Sequence, residues 1–163
     1  MKNYILDKTL ADRKLERMAL EIAERNTDAD CIVLAGIWES GSVMAAKLLP
    51  MLQKSFVGTI DLVKLLIDKK NPKAVTIEPV TDFNKKVVII VDDVANSGKT
   101  MTYAIKPFLE FQPQKIQTLV LVERTHKTFP ISADYVGLSV STTLQEHIFV
   151  ETEGAEITGA YLA

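Results

Sequence analysis

An open, mostly parallel, doubly wound α/β sheet is the fold class this sequence predicts. Three runs rich in Ile, Val and Leu, at 31–37 (CIVLAGI), 87–91 (VVIIV) and 116–122 (IQTLVLV), read as strands covered on both faces. Segments of helical periodicity separate them, and a βαβ…βαβ order in one chain folds through right-handed crossovers onto a parallel sheet. Ligands of such sheets gather beyond the carboxyl ends of the strands. That rule brings the loops 38–41, 92–100 and 123–126 together.

Each element has its own signal. Residues 7–25 place Leu10, Leu15, Met18, Ile22 and Ala23 at helical spacing, with charged residues between them, and Asp7 is suited to cap the start. Gly41 opens a second helical pattern carrying Val43, Met44, Ala45, Leu48, Leu49 and Met51. Residues 56–66 read as a further strand. The stretch 68–86 is polar, holds two prolines and has little periodicity, so it reads as a long excursion or a short hairpin. A loop of that length inside one domain is usually functional or mobile. A helix from about 99 to 111 follows the second run and is closed by Pro113. From Ile131 onward, short β-prone runs alternate with turns around Gly137 and Gly154.

At 163 residues the chain fits one domain with a core of its own. Nothing approaches the roughly 20 apolar residues that span a bilayer, so no membrane association is expected. The first seven residues are too poor in apolar side chains for a signal peptide. The single cysteine, Cys31, excludes an internal disulfide and lies in an apolar run, where a buried, inert thiol is expected. The cytoplasm is the default location. Formal charge is −2, from 19 basic and 21 acidic residues, which gives no global drive toward nucleic acid. No Lys or Arg follows Lys127, whereas Asp134, Glu146, Glu151, Glu153 and Glu156 do. That is a poor surface for a polyanion.

The strongest chemical signal is VVIIVDDVANSGKT, 87–100. Its end, Gly98-Lys99-Thr100, looks like a nucleotide-binding P-loop, but such a loop needs glycine five residues before Gly98, and that residue is Asp93. Two acids at a strand end, then small residues and a helix start, suit another ligand. Asp92 and Asp93 can accept hydrogen bonds from vicinal sugar hydroxyls. Backbone amides from Ala95 through Asn96, Ser97, Gly98, Lys99 and Thr100 suit a terminal phosphate. Ser97 and Thr100 add hydroxyls, and Gly98 permits close approach. The competing reading is a capping Asp pair in a generic βα loop.

This segment resembles the 5-phosphoribosyl-1-pyrophosphate (PRPP) motif of type I phosphoribosyltransferases. ILDKTLADRKLERMALEIAERN, VLAGIWESG, LVLVERTHKTFPISADYVG and SVSTT extend the likeness, in order, to the PyrR family of pyrimidine-operon regulators and uracil phosphoribosyltransferases. The resemblance is weakest over 62–86. It implies one type I phosphoribosyltransferase domain over 1–163, with a hood made of N- and C-terminal pieces and a flexible lid near 66–84. It also implies PRPP as substrate and Mg²⁺ as cofactor. Asp92 and Asp93 would be the catalytic acids and would meet the metal mostly through PRPP and water. Residues 95–100 would cup the 5-phosphate. Trp38, Glu39, Ser40 and Gly41 would bind pyrophosphate and contain a non-proline cis peptide. Tyr135 and Val136 would hold the base, with Arg124 and His126 bordering the site. Uracil is the base implied, and a homodimer or higher homo-oligomer the assembly, with Ile148-Phe149-Val150 and Tyr161-Leu162 as candidate contacts.

The chain departs from that family in three places. Thr-Arg-Gly in the pyrophosphate loop is replaced by Glu39-Ser40-Gly41, and a carboxylate about 4 Å from pyrophosphate would cost on the order of 4 kcal/mol. Glu39 facing solvent, with its amide doing the binding, is the milder reading. The lid's Tyr and Arg are replaced by Leu65 and Leu66, leaving Lys69, Lys70 and Lys73 as substitutes, although a solvated charge run explains any one lysine equally well. SVSTTLQEHI lacks the family's basic residues, and the first helix alternates Arg13, Lys14 and Arg17 with Asp12, Glu16 and Glu21. RNA binding needs a basic face, so an RNA partner is disfavoured. Three classes stay open: an enzyme, a non-catalytic PRPP or nucleotide sensor, and an RNA-binding attenuator.

Overall fold

Strand β1 (Asn3–Asp7) runs directly into α1 (Lys8–Arg25) in the computed structural model, which describes residues 1–163. Asp7 caps that helix, its carboxylate accepting the Leu10 N–H at 2.8 Å. The chain continues through β2 (Cys31–Ile37), α2 (Ser40–Gln53), β3 (Thr59–Ile67), β4 (Val75–Glu78) and β5 (Val87–Ala95). It then forms α3 (Lys99–Ile105), β6 (Lys115–Arg124), β7 (Tyr135–Val140), β8 (Ile148–Glu153) and β9 (Glu156–Leu162). The helix expected over 99–111 is shorter than its pattern. It tightens after Ile105 into a 3₁₀ turn, Lys106–Glu110, where Pro107 has no N–H for the α-helical ladder.

Six strands form the main sheet in the order β4-β3-β2-β5-β6-β7. Every neighbouring pair is parallel except β3–β4. The excursion at 68–86 therefore contains a short hairpin, with Ile67 opposite Val75 and Lys64 opposite Glu78. The apolar runs are explained by cover on both faces. Leu34, Ile89, Val91 and Leu121 pack under α1 and α2 with Leu15, Met18, Ile22 and Leu48. Val33, Ala35, Val88 and Ile90 face Phe83, Met101 and Phe108 on the other side. No helix is long and apolar enough to cross a membrane. Cys31, expected inside, is only partly buried because it is the first residue of β2; burial still pushes its thiol pKa up, in keeping with an inert group.

A second, antiparallel sheet of order β1-β9-β8 joins the two ends of the chain. Leu6, Ile148, Ile157 and Ala160 bury into the core beneath it. On its other side Tyr4, Tyr161 and Phe149 lie side by side across the strands, with Phe149 and Tyr161 stacked at 5.3 Å. This sheet hangs over the carboxyl end of β5. It supplies one wall of the site.

Candidate active site

Asp92 and Asp93 lie where β5 passes the end of its buried run. Alternation along the strand turns Asp92 inward, and it is only 2% exposed, while Asp93 is partly buried. The pair is braced by its own backbone: the Asp93 N–H donates to Asp92 Oδ1 and the Val94 N–H to Asp93 Oδ1, each at 2.9 Å. Burial pushes the Asp92 pKa well above the usual carboxylate range and the Asp93 charge adds to it, while the Lys69 ammonium opposes both. Lys69 Nζ stands 3.6 Å from Asp92 Oδ1 and 3.9 Å from Asp93 Oδ1.

Beyond the acids the chain turns at Gly98, whose φ of +83° is one that other residues adopt only under strain. Ser97 Oγ accepts the Lys99 N–H at 3.2 Å, and the Gly98 carbonyl accepts the Thr102 hydroxyl at 2.7 Å. From outside, the Thr128 and Phe129 N–H groups both donate to the Ser97 carbonyl at 3.0 Å. The amides of Asn96, Ser97 and Gly98 have no backbone partner. A turn whose carbonyls are satisfied and whose amides are free is built for an anion.

Acids and turn open into one cleft of about 230 Å³. Residues 92–101 form its floor, Lys69 stands on one side, and Ile148, Phe149 and Val150 of β8 form the other. The loop 38–41 adjoins the acids without lining this cleft. A Cβ on Gly41 would meet the Val91 carbonyl at 2.4 Å and Asp92 Cα at 3.2 Å, so glycine is what lets the loop press against β5. The Trp38–Glu39 peptide is cis, within the expected stretch, and the Trp38 N–H donates to the Leu65 carbonyl at 2.9 Å. Glu39 is exposed and forms no ion pair within 4 Å. Its side chain faces solvent, as the milder reading of that residue has it.

The base-binding expectation for Tyr135 and Val136 is corrected. Tyr135 is fully buried on the α1 face of β7; its hydroxyl donates to Gln117 Oε1 at 2.8 Å and accepts from Asn26 Nδ2 at 3.1 Å. The Arg25 guanidinium lies 5.1 Å from its ring centroid. No face of the ring is left for a base. The Val136 carbonyl is taken by Arg17 at 3.0 Å. The wall of the cleft opposite Lys69 is formed instead by 148–150 of β8. Their apolar run was visible in the sequence, but only the antiparallel pairing with β9 carries it over β5.

Other expected residues divide. Lys69 reaches the acids, whereas Lys70 and Lys73 are exposed and make no ion pair. Leu65 is a core residue of β3 and Leu66 is half-buried. Arg124 donates to the carbonyls of Thr143 and Glu146, so it ties the loop before β8 rather than facing the cleft. With His126, Lys127 and His147 it borders a second hollow of about 350 Å³ on the far side of Asn96 and Ser97. Lys127 is paired there with Glu123 at 2.9 Å. No cluster of three His, Cys, Asp or Glu side chains exists to hold a metal. The hard oxygen donors of Asp92 and Asp93 fit Mg²⁺ where phosphates and water complete its shell.

A family model described as "Phosphoribosyl transferase domain" matches residues 3–154. The chain belongs to the phosphoribosyltransferase family. Curated relatives place it on the PyrR side. A Bifunctional protein PyrR from Clostridium acetobutylicum is 34% identical over 166 residues, covering 96% of this chain and 93% of the relative. One from Bacillus cereus is 35% identical over 164 residues, covering 93% and 91%. Among solved structures, the hypoxanthine phosphoribosyltransferase of Trypanosoma cruzi superposes with a TM-score of 0.79 at 17% identity, covering 96% and 95%. A hypoxanthine-guanine phosphoribosyltransferase from Bacillus anthracis gives 0.74 at 18%, covering 98% of both. These structures bear out the type I fold, and the relatives bear out a PyrR-like phosphoribosyltransferase. The expectation against RNA finds no support in them, because relatives matching nearly the whole chain are named bifunctional.

Proposed function

We propose that this protein transfers 5-phosphoribose from PRPP to a nitrogenous base, with uracil the first candidate, and releases pyrophosphate. One observation carries the reading: an acid pair with Asp92 buried and a turn whose amides lack backbone partners face the same cleft. The bond between the sugar C1 and the pyrophosphate oxygen breaks, its electrons leaving with pyrophosphate. A ring nitrogen of the base then bonds to C1 and gives up its proton to water. Asp92 and Asp93 accept the ribose hydroxyls and favour the positive charge that develops on the ring, an electrostatic role rather than nucleophilic attack. The amides of 95–100 hold the 5-phosphate, and that remote binding energy orients C1. Residues 38–41, pressed against Asp92 at Gly41, take the pyrophosphate. The β8 stretch 148–150 covers the base, and the segment 66–84 closes as a lid that keeps water from the sugar. Mg²⁺, held by PRPP and the acid pair, neutralises the leaving group when bound.

Turnover of labelled PRPP against a panel of bases tests this. Release of pyrophosphate with uracil is the expected result. If PRPP raises the melting temperature but no base consumes it, the protein is a sensor and the enzyme reading fails. A second role, PyrR-type binding of a leader RNA, is favoured by the near-full-length relatives named bifunctional. Filter binding to such RNA, weakening steeply with salt, would establish it. A homo-oligomer in the cytoplasm belongs to the same reading, and light scattering checks the assembly.

A further inference from the structure

The contact between Lys69 and the acid pair joins the β3–β4 hairpin to the end of β5. Lys69 sits in the turn of the β3–β4 hairpin, two residues beyond the end of β3. Its Nζ is 3.6 Å and 3.9 Å from the two Oδ1 atoms, and its side chain is half exposed. These distances exceed a direct N–H···O bond of about 2.7–3.2 Å, so the ammonium is held by charge and not by a fixed hydrogen bond. It is the cation found within 4 Å of either carboxylate. The hairpin that carries it is lightly tied: β4 has four residues and lies at the edge of the sheet. β4 packs through Val75 and Ile77, whereas one long hydrogen bond joins the turn to the helical layer, from Lys106 Nζ to the Lys73 carbonyl at 3.5 Å.

We infer that Lys69 is an internal stand-in for the ligand, seated on Asp92 and Asp93 until a ribose phosphate enters and displaces it. The acids can receive either the ammonium or the incoming sugar with its cation, and the two compete for the same oxygens. Displacement is not a loss for Lys69 when the ligand is PRPP, because pyrophosphate arrives with it and offers the ammonium a denser negative charge. Ribose 5-phosphate fills the acids and the phosphate turn but brings no pyrophosphate, so it sets Lys69 free. The hairpin therefore exchanges one anionic partner for another, and its closure over the site is linked to the presence of the leaving group. This inference rests on the proposed ligand only in its second half; occupancy of the acid pair by Lys69 stands on the contact itself.

Two measurements on the full-length protein separate those halves. In the first, Mn²⁺ binding without any phosphate ligand is followed by electron paramagnetic resonance. Lys69→Met should bind Mn²⁺ about tenfold more tightly, the size of a modest local charge effect (~1.4 kcal/mol). Lys69→Arg should stay near the wild type, and Lys69→Met combined with Asp93→Asn should lose the gain. Equal affinity in Lys69→Met and the wild type would overturn the occupancy of the acids by Lys69. In the second, trace acetylation of Lys69 is read by mass spectrometry. Its rate should rise severalfold with saturating ribose 5-phosphate and fall below the empty-site rate with PRPP and Mg²⁺. A rate unchanged by bound ribose 5-phosphate would overturn the exchange. Absence of any ribose 5-phosphate binding would overturn both the exchange and the proposed sugar site, while the Mn²⁺ result would still decide the contact.

Discussion

Replacing Asp92 with asparagine should make the empty protein more stable while destroying its affinity for PRPP. Asp92 is 2% exposed and its nearest charged neighbour in sequence is another carboxylate. Burying an ion costs several kcal/mol even after relaxation. The half-exposed Lys69 offsets about 1 kcal/mol of that at most, because solvent screens it. Asparagine keeps an acceptor for the Asp93 N–H and adds a donor toward the Asp93 carboxylate. The net gain expected is about 0.5–2 kcal/mol, or roughly 2–4 °C in melting temperature per kcal/mol for a chain of this size.

The pH dependence fixes the cause. Burial, with the Asp93 charge, raises the Asp92 pKa in the folded state, so above the ordinary carboxylate value of about 3.9 the native protein binds a proton that the unfolded chain has released. Stability must then fall as pH rises from that value through the elevated one. Urea unfolding of wild type and Asp92→Asn across that range should show the variant's advantage growing with pH. Calorimetry with Mg²⁺ and PRPP should show binding lost. An Asp92→Asn protein less stable than wild type at neutral pH, or one whose advantage does not vary with pH, would refute the reasoning.

Further outcomes follow from other contacts. Gly41→Ala places a Cβ 2.4 Å from the Val91 carbonyl; it should destabilise by about 1–3 kcal/mol and weaken PRPP binding, measured by denaturant titration and calorimetry. Tyr135→Phe removes a buried hydroxyl with two partners, costing about 1–3 kcal/mol, yet it should leave the KM for base unchanged in steady-state assays. Gly98→Ala forces a side chain into φ +83°, at about 1–2 kcal/mol; it should shift the thermal midpoint down and weaken binding of ribose 5-phosphate.

Composition and local order determined a good deal. The three Ile/Val/Leu runs fixed the inner strands because such runs need cover on both faces, and Asp7 marked a helix start because a carboxylate can reach the Leu10 amide. The segment 87–100 was legible because its defining features are local: acids on their own following amides, and glycine at the one positive φ of the turn. Tyr135 was misread for the opposite reason. Sequence shows an aromatic residue at a strand start, but which sheet face it meets depends on register with β6 and on where α1 packs. The role of Ile148, Phe149 and Val150 was likewise invisible, since a terminal sheet formed by residues more than a hundred positions apart carries them over β5. The Lys69 contact belongs to that same class. A charge run looks solvated along the chain, and only the folding of the hairpin across the end of the sheet brings one of its ammonium groups within reach of the two acids.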